Sequence, residues 1–280
     1  MSDPVLVTGA GGYLGPHVVT ALLNRGHAVT AVLRPGSSAP LDPRAQVLFA
    51  DVLSEQFLTR IPPSVGVVHL AWQDGFAHNS PAHMGNVSAH FRLLTALAAS
   101  GSQRIVALGT MHEVGYWEGE IDASTPTLPM SQYGIAKDAL RKSLTQAISQ
   151  TTSFAWARCY YIYGDDRRNN SIFARVLQAA DQGKRTFPFT TGVNKYDFIE
   201  VSELGVQIAA LFGASDATGV INCCSGKPVS LAAMVEDLIA TEGLDIALEY
   251  GAYPDRPYDS PGVWGDATRI TEILSRASTI

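Results

Sequence analysis

The sequence predicts an α/β protein built on a doubly wound parallel sheet, with a small discontinuous substrate lobe assembled from its second half. Three observations carry this prediction. Short apolar runs alternate with helical segments through the first half, a glycine-rich turn joins the first run to the first helix, and the rhythm loosens after Gly164. The apolar or β-branched runs lie at 5–9, 28–33, 46–51, 65–72, 104–110 and 154–164. Helical spacing marks 13–25, 84–100 and 131–148. Continuous apolar strands alternating with helices make a parallel sheet covered on both faces, and right-handed crossovers wind it in the Rossmann-like manner.

Beyond Gly164 the spacing predicts helices at about 171–183, 202–213 and 231–241 and a strand at 219–223. The stretch YGAYPDRPYDSPGVWGD is rich in Pro, Gly and Tyr and reads as an ordered loop over a site. The nucleotide-binding core is therefore expected from 1–165 plus about 196–222, and the lobe from about 166–195 plus 223–280.

Composition narrows the function. The chain has 280 residues, 46% hydrophobic and 16% charged, enough for one large α/β domain with an appendage. Its formal net charge of -6, with no Lys/Arg stripe to neutralise phosphates, argues against nucleic acid as the main partner. The three cysteines include an adjacent pair and form no metal-ligand spacing, so buried thiols in a reducing compartment are expected and no metal site. No charged-then-apolar leader precedes Val5, and no apolar run approaches the ~18 residues that span a bilayer. A soluble cytoplasmic protein, with no membrane partner, is the expectation.

The turn is Thr8-Gly9-Ala10-Gly11-Gly12-Tyr13-Leu14-Gly15. Gly9 permits the tight turn, Gly12 lets backbone approach a pyrophosphate, and Gly15 lets the helix pack on the strand. The helix amides and dipole then bind the anion, with Tyr13 and Leu14 in the same cofactor-contacting turn. Pro16 falls in the first helical turn, where its missing N–H costs least. A carboxylate that reads the ribose is expected about 20 residues on, at the end of the second strand. Leu33 stands there and Arg34 follows. A guanidinium pairs a 2′-phosphate bidentately, and Ser37 can add a hydroxyl, so NADP(H) is favoured over NAD(H). The other reading of Arg34 is a solvated loop residue.

Tyr133 and Lys137 are four apart on a predicted helix and share one face. A free tyrosine titrates near ~10, and a nearby ammonium favours the phenolate, making Tyr133 a usable general acid or base. The fifth strand ends in Thr110, at the sheet edge where such folds bind ligands.

The TGxxGxxG spacing, a strand ending in Thr110 and the later YxxxK string together resemble the extended short-chain dehydrogenase/reductase family, also called the NAD-dependent epimerase/dehydratase family. The likeness is strongest over 5–165 and extends to nucleotide-sugar 4-ketoreductases and 4-epimerases. It implies Thr110, Tyr133 and Lys137 as the catalytic set. It places Asp51 on the adenine amino group (or as a loop cap), with Val52 beside it, and Ala71 next to the cofactor. Asn86 would support the backbone and water near Lys137, or cap its helix. His112 would be an auxiliary proton donor at the substrate, or a loop histidine bonded to backbone. Asn170 and Arg256 would grip a nucleotide diphosphate. Met111-His112 stand where the 4,6-dehydratases place Asp-Glu, which argues against dehydration, and Tyr161 replaces an Asn of the family pattern.

The activity so implied is NADPH-dependent reduction of a nucleotide-linked 4-keto-6-deoxy sugar. The alternatives are a 4-epimerase with tightly bound NAD, a reductase of a non-sugar ketone, and a cofactor-sensing regulator. A homodimer would pack the 84–100 and 131–150 helices through Val87, Leu94, Leu97, Leu140, Leu144 and Ile148, unless these pack on the sheet.

Overall fold

The computed structural model describes residues 4–59, 65–254 and 259–277. Its first half runs β1 (Val5–Thr8), α1 (Gly15–Asn24), β2 (Val29–Leu33), β3 (Gln46–Phe49), α2 (Glu55–Leu58), β4 (Gly66–His69), α3 (Ala82–Ala99), β5 (Arg104–Thr110), β6 (Gly119–Ile121), α4 (Gln132–Ile148) and β7 (Ser153–Cys159). The second half adds β8 (Tyr161–Tyr163), α5 (Ile172–Asp181), β9 (Thr186–Pro188), β10 (Lys195–Glu200), α6 (Val201–Gly213), β11 (Gly219–Cys223), β12 (Pro228–Ser230), α7 (Leu231–Thr241), β13 (Ala247–Glu249), β14 (Gly262–Gly265) and α8 (Thr268–Ala277).

Seven parallel strands in the order β11-β7-β5-β4-β1-β2-β3 form the main sheet. The order reverses at β1, so the turn after β1 opens at a switch point, where such sheets bind ligands. One face packs on α1, α6 and α8 through Val18, Leu22, Leu204, Ile208 and Ile270. The other packs on α3 and α4 through Leu93, Leu97, Leu140 and Leu144. A second sheet, β12-β10-β14-β6 with β8 on β10, and the pair β13-β9 form the lobe.

Three expectations are corrected here. The run 154–164 is two strands, because Ser153–Cys159 pairs with β5 and β11 while Tyr161–Tyr163 pairs with β10 in the other sheet. The core segment expected from about 196 begins instead at α6, since Lys195–Glu200 hydrogen-bonds within the lobe sheet. The chain end leaves the lobe, with Ile270 and Ile273 of α8 buried in the main core. The helix positions Leu94, Leu97, Leu140, Leu144 and Ile148 are buried in the chain's own core and Val87 is half-buried against it, which is the sheet-packing alternative.

Two polar anchors hold this interleaved chain. The buried Arg104 guanidinium donates to the carbonyls of Leu211, Phe212 and Ala217, closing the C-terminal end of α6. In the lobe the buried Asp197 carboxylate accepts from the amides of Ser225, Gly226 and Gly265, at 2.8, 2.9 and 3.1 Å. Among the described residues no helix is long and apolar enough to cross a membrane.

Candidate active site

The glycine turn is built by exclusion of side chains. Gly9 has φ 72°, and a Cβ there would sit 2.5 Å from the amide nitrogen of Ala71. Ala71 thus backs the turn from the end of β4. A Cβ on Gly15 would collide with the carbonyl of Ala10. Gly12 is exposed and donates its amide to Gly9 O at 3.0 Å, and its Cβ would meet only that oxygen, at 3.2 Å. The tighter position is Gly11, which the sequence reading passed over. A Cβ there would lie 2.9 Å from Leu33 Cδ2 and 3.2 Å from Ser37 Oγ. Gly9→Ala is expected to combine positive-φ strain with a backbone clash and weaken cofactor binding at least tenfold, read by fluorescence titration with NAD(P)H.

Around this turn the cofactor candidates fall at the carboxyl ends of β1 to β4. Leu14 is buried at the start of α1. The Tyr13 hydroxyl donates to Gly164 O at 2.5 Å, tying the turn to the end of β8. Arg34 is exposed, and Ser37 is half-buried with its Oγ accepting from Ala39 N at 3.3 Å. Asp51 is exposed and caps its own turn, Oδ1 accepting from Leu53 N at 3.0 Å, while Val52 is buried beside it.

Thr110 ends β5 in extended backbone and caps a short 3-10 turn, Met111–Glu113. Its amide donates to Glu113 Oε1 at 2.8 Å, and its own Oγ1 accepts from His112 N at 3.3 Å. Glu113 is fully buried, accepts from Trp156 Nε1 at 2.8 Å, and has Arg141 Nε 3.3 Å and Arg158 Nε 3.9 Å from its other oxygen. This carboxylate therefore anchors the turn and cannot serve as a catalytic acid at the substrate.

Tyr133 and Lys137 open α4, whose Ser131 cap accepts from Gly134 N. Burial pushes the Tyr133 phenol well above its ordinary range, and the Thr110 hydroxyl bonded to it pulls the other way. The expected lowering by Lys137 is not what the geometry gives. Its Nζ donates to Leu108 O at 2.7 Å and lies 6.0 Å from the Tyr133 ring centroid. Burial lowers the ammonium to about 7, against the opposing charge of Glu113. Tyr133 consequently holds its proton at neutral pH, the state of a general acid.

Histidines crowd this pair in a way the sequence reading did not see. His78 stacks on the Tyr133 ring at 5.5 Å, and His112 lies 4.4 Å from His78 and 6.1 Å from Tyr133. Burial, then His78, lowers His112 to about 3, so it is neutral and no cationic proton donor at neutral pH. Behind them His69, called a packed residue from sequence, has Nδ1 2.8 Å from Thr8 Oγ1 and Nε2 3.0 Å from His90 Nδ1. The clue was available: His69, His78, His83 and His90 fall within one segment that crosses from β4 into α3. Asn86 reaches Gln73 Oε1 at 3.1 Å, not Lys137.

In the lobe, Asn170 is exposed, whereas its neighbour Asn169 is buried and bonded to Asp166 at 2.8 Å. Tyr161, at the departure from the family's Asn, sits 6.1 Å from His112 and 4.5 Å from Tyr196. Arg256 lies outside the described residues.

The arrangement places a backbone cradle for an anion beside a protonated phenol, a hydroxyl and a buried amine. A model of the family described as NAD dependent epimerase/dehydratase matches residues 5–224. The chain belongs to that family. Members transfer hydride through a nicotinamide dinucleotide, and this one is an oxidoreductase of the extended short-chain type. It is 43% identical over 267 residues to a protein of Aggregatibacter actinomycetemcomitans named dTDP-6-deoxy-L-talose 4-dehydrogenase (NAD(+)), covering 93% of this chain and 98% of that one. Its fold matches a UDP-N-acetylglucosamine 4-epimerase of Methanobrevibacter ruminantium, with TM-score 0.82 and 22% identity over 97% of this chain and 92% of the other. It also matches a dTDP-glucose 4,6-dehydratase of Streptomyces venezuelae, with TM-score 0.79 and 20% identity over 96% and 90%. After Thr110 this chain carries Met111 and His112, and Glu113 is held against Arg141.

Proposed function

We propose that this chain reduces the 4-keto group of a dTDP-linked 4-keto-6-deoxyhexose, with NADPH as reductant. One observation carries the reading: the Tyr133 phenol, a proton donor at neutral pH hydrogen-bonded to Thr110, stands at the end of β5 with Lys137 on the same helix. The Aggregatibacter relative, named for the 4-position of a dTDP-6-deoxyhexose, supports the substrate class.

The cradle fits a dinucleotide, since the backbone at Gly9 and Gly15 is packed too closely for any Cβ. When bound, the nicotinamide supplies the hydride. Thr110 and Tyr133 would hydrogen-bond the keto oxygen from the end of β5 and the start of α4. Tyr133 would release its proton to that oxygen as negative charge develops, and Thr110 would remain hydrogen-bonded to the phenolate left behind. Neutral His112 and Tyr161 would line the sugar side and keep water away.

The preference for NADPH rests on Leu33 in the ribose-reading position, on the exposed Arg34 that follows it, and on the Ser37 hydroxyl beside Gly11. Absorbance at 340 nm during incubation with enzymatically prepared dTDP-4-keto-6-deoxyhexose and either cofactor tests both parts. Consumption of NADPH is the expected result. Arg34→Ala should weaken NADPH binding about tenfold or more while leaving NADH binding unchanged. Faster turnover with NADH, as the relative's name implies for that protein, would overturn the cofactor reading. Interconversion of the reduced nucleotide sugars with no net use of reductant would replace it with epimerisation.

A further inference from the structure

Lys137 depends on a group outside the YxxxK string. Its Nζ lies 3.9 Å from the centroid of the Trp72 ring. Trp72 follows Ala71, the residue that backs Gly9, so it sits where the cofactor turn meets α4. The indole cannot turn freely. Its Nε1–H donates to His83 Nδ1 at 3.0 Å, and His83 Nε2 in turn donates to the Ala77 carbonyl at 2.9 Å. That pair of bonds fixes His83 as the neutral Nε2–H tautomer. His90 stacks on the same indole at 4.5 Å and 16°.

We propose that Trp72, locked by His83, is the positioning residue that holds Lys137 as an ammonium beneath the active site. A buried amine loses its water, and among the described residues the Leu108 carbonyl replaces it by hydrogen bonding. An aromatic face at this distance supplies the missing electrostatic stabilisation, and in a desolvated site such a contact is at its strongest. The other groups around the amine do not take its place. Glu113 from the 3-10 turn favours the charge, but it is committed to Arg141 and Arg158. His69 from β4 and His90 from α3 are neutral and are themselves depressed by Lys137. Tyr133 from α4 holds its proton at neutral pH, Cys159 from β7 acts in the same sense as Glu113, and Trp156 is further off, at 5.8 Å. The ring at 3.9 Å thus favours the charged form of a lysine that burial draws down to about 7.

The inference rests on the proposed function for its kinetic consequence but not for its direct measurement. The direct test is titration of Lys137 by NMR of 13C-labelled lysine in the protein, assigned by Lys137→Met. Removing the ring with Trp72→Leu should move the midpoint down by about one pH unit. Trp72→Phe keeps a face and loses the N–H, and should move it by less. His83→Leu keeps the indole but frees it to rotate, and should fall between. In kcat against pH, the alkaline limb of reduction should move in the same order, with KM for the nucleotide sugar changed less than kcat. An unmoved NMR midpoint in Trp72→Phe and Trp72→Leu, both still folded by circular dichroism, would overturn the proposal. A shifted midpoint with no turnover of the 4-keto sugar by the unaltered protein would leave Trp72 in its role and remove the substrate reading instead.

Discussion

Replacing Tyr133 with phenylalanine is expected to lower kcat for ketone reduction by about 10²–10⁴-fold, the range of a general acid. Cofactor affinity should stay within about twofold, because the cradle at Gly9, Gly11 and Gly15 is formed by other elements. The ring stays, so its stacking on His78 at 5.5 Å and its packing near Trp72 at 6.2 Å are retained. Only the phenolic proton goes. Steady-state assays at 340 nm, together with NADPH titration, separate the two effects. A variant with more than a tenth of the normal kcat would show that another group protonates the oxygen. His112 is then the first place to look, and its low affinity for a proton makes it a poor candidate at neutral pH.

The second large effect concerns acid. His69, His90 and His112 all have folded-state affinities for protons pushed below the free value of 6.5, His90 and His112 to about 3. The first cause in each case is burial, followed by His90 and Lys137 around His69, by Lys137 around His90, and by His78 around His112. Below pH 6.5 the unfolded chain binds protons that the folded one refuses. Stability is therefore lost as pH falls from about 6.5 toward 3. Each such histidine costs about 1.4 kcal/mol per pH unit in that window, so His69 and His90 alone withdraw on the order of 3 kcal/mol per unit. That is a large part of an ordinary domain's stability of about 5–15 kcal/mol. Lys137 works in the same sense at the other end. Its lowering from 10.5 to about 7 means stability rises with pH between those values. Urea unfolding at pH 7.5, 6.5 and 5.5 should show the acid loss, and His90→Gln should flatten the curve by about one histidine's share. A curve no flatter in the variant would place the acid sensitivity in the carboxylates.

Much of this site was legible before the fold was seen, and the reasons are local. The β5 run at 104–110 and the α4 segment announce themselves by continuous apolarity and by helical spacing, and both depend on near neighbours in the chain. The glycine turn was recognisable because its constraint is steric and short-ranged. What escaped were relations between distant segments. The change of sheet at Tyr160 is invisible in FAWARCYYIYG, since both halves are apolar and only their partners differ. α8 has its apolar residues on one side, but the Pro- and Gly-rich stretch before it read as an ordered loop over a site, with no helix named beyond it. The role of Trp72 required knowing that residues 72, 83 and 137 converge, and no spacing reveals that. Lys137 was expected to lower Tyr133, which is the effect of charge in water; in the structure desolvation outweighs it.

The way the chain crosses between its two sheets also bears on how it must be made. Asn222 donates to Ile121 O, 101 residues earlier, and β6 pairs with β14, far along the chain. During synthesis the first six main-sheet strands can assemble early, while β11, which completes the edge, arrives later. The face of α6 that receives α8 stays bare until α8 itself has left the ribosome. Such late, long-range closure raises contact order and slows folding. The nascent protein therefore spends its most vulnerable period with an apolar helix face and a strand edge uncovered, when chaperones and aggregation compete for it.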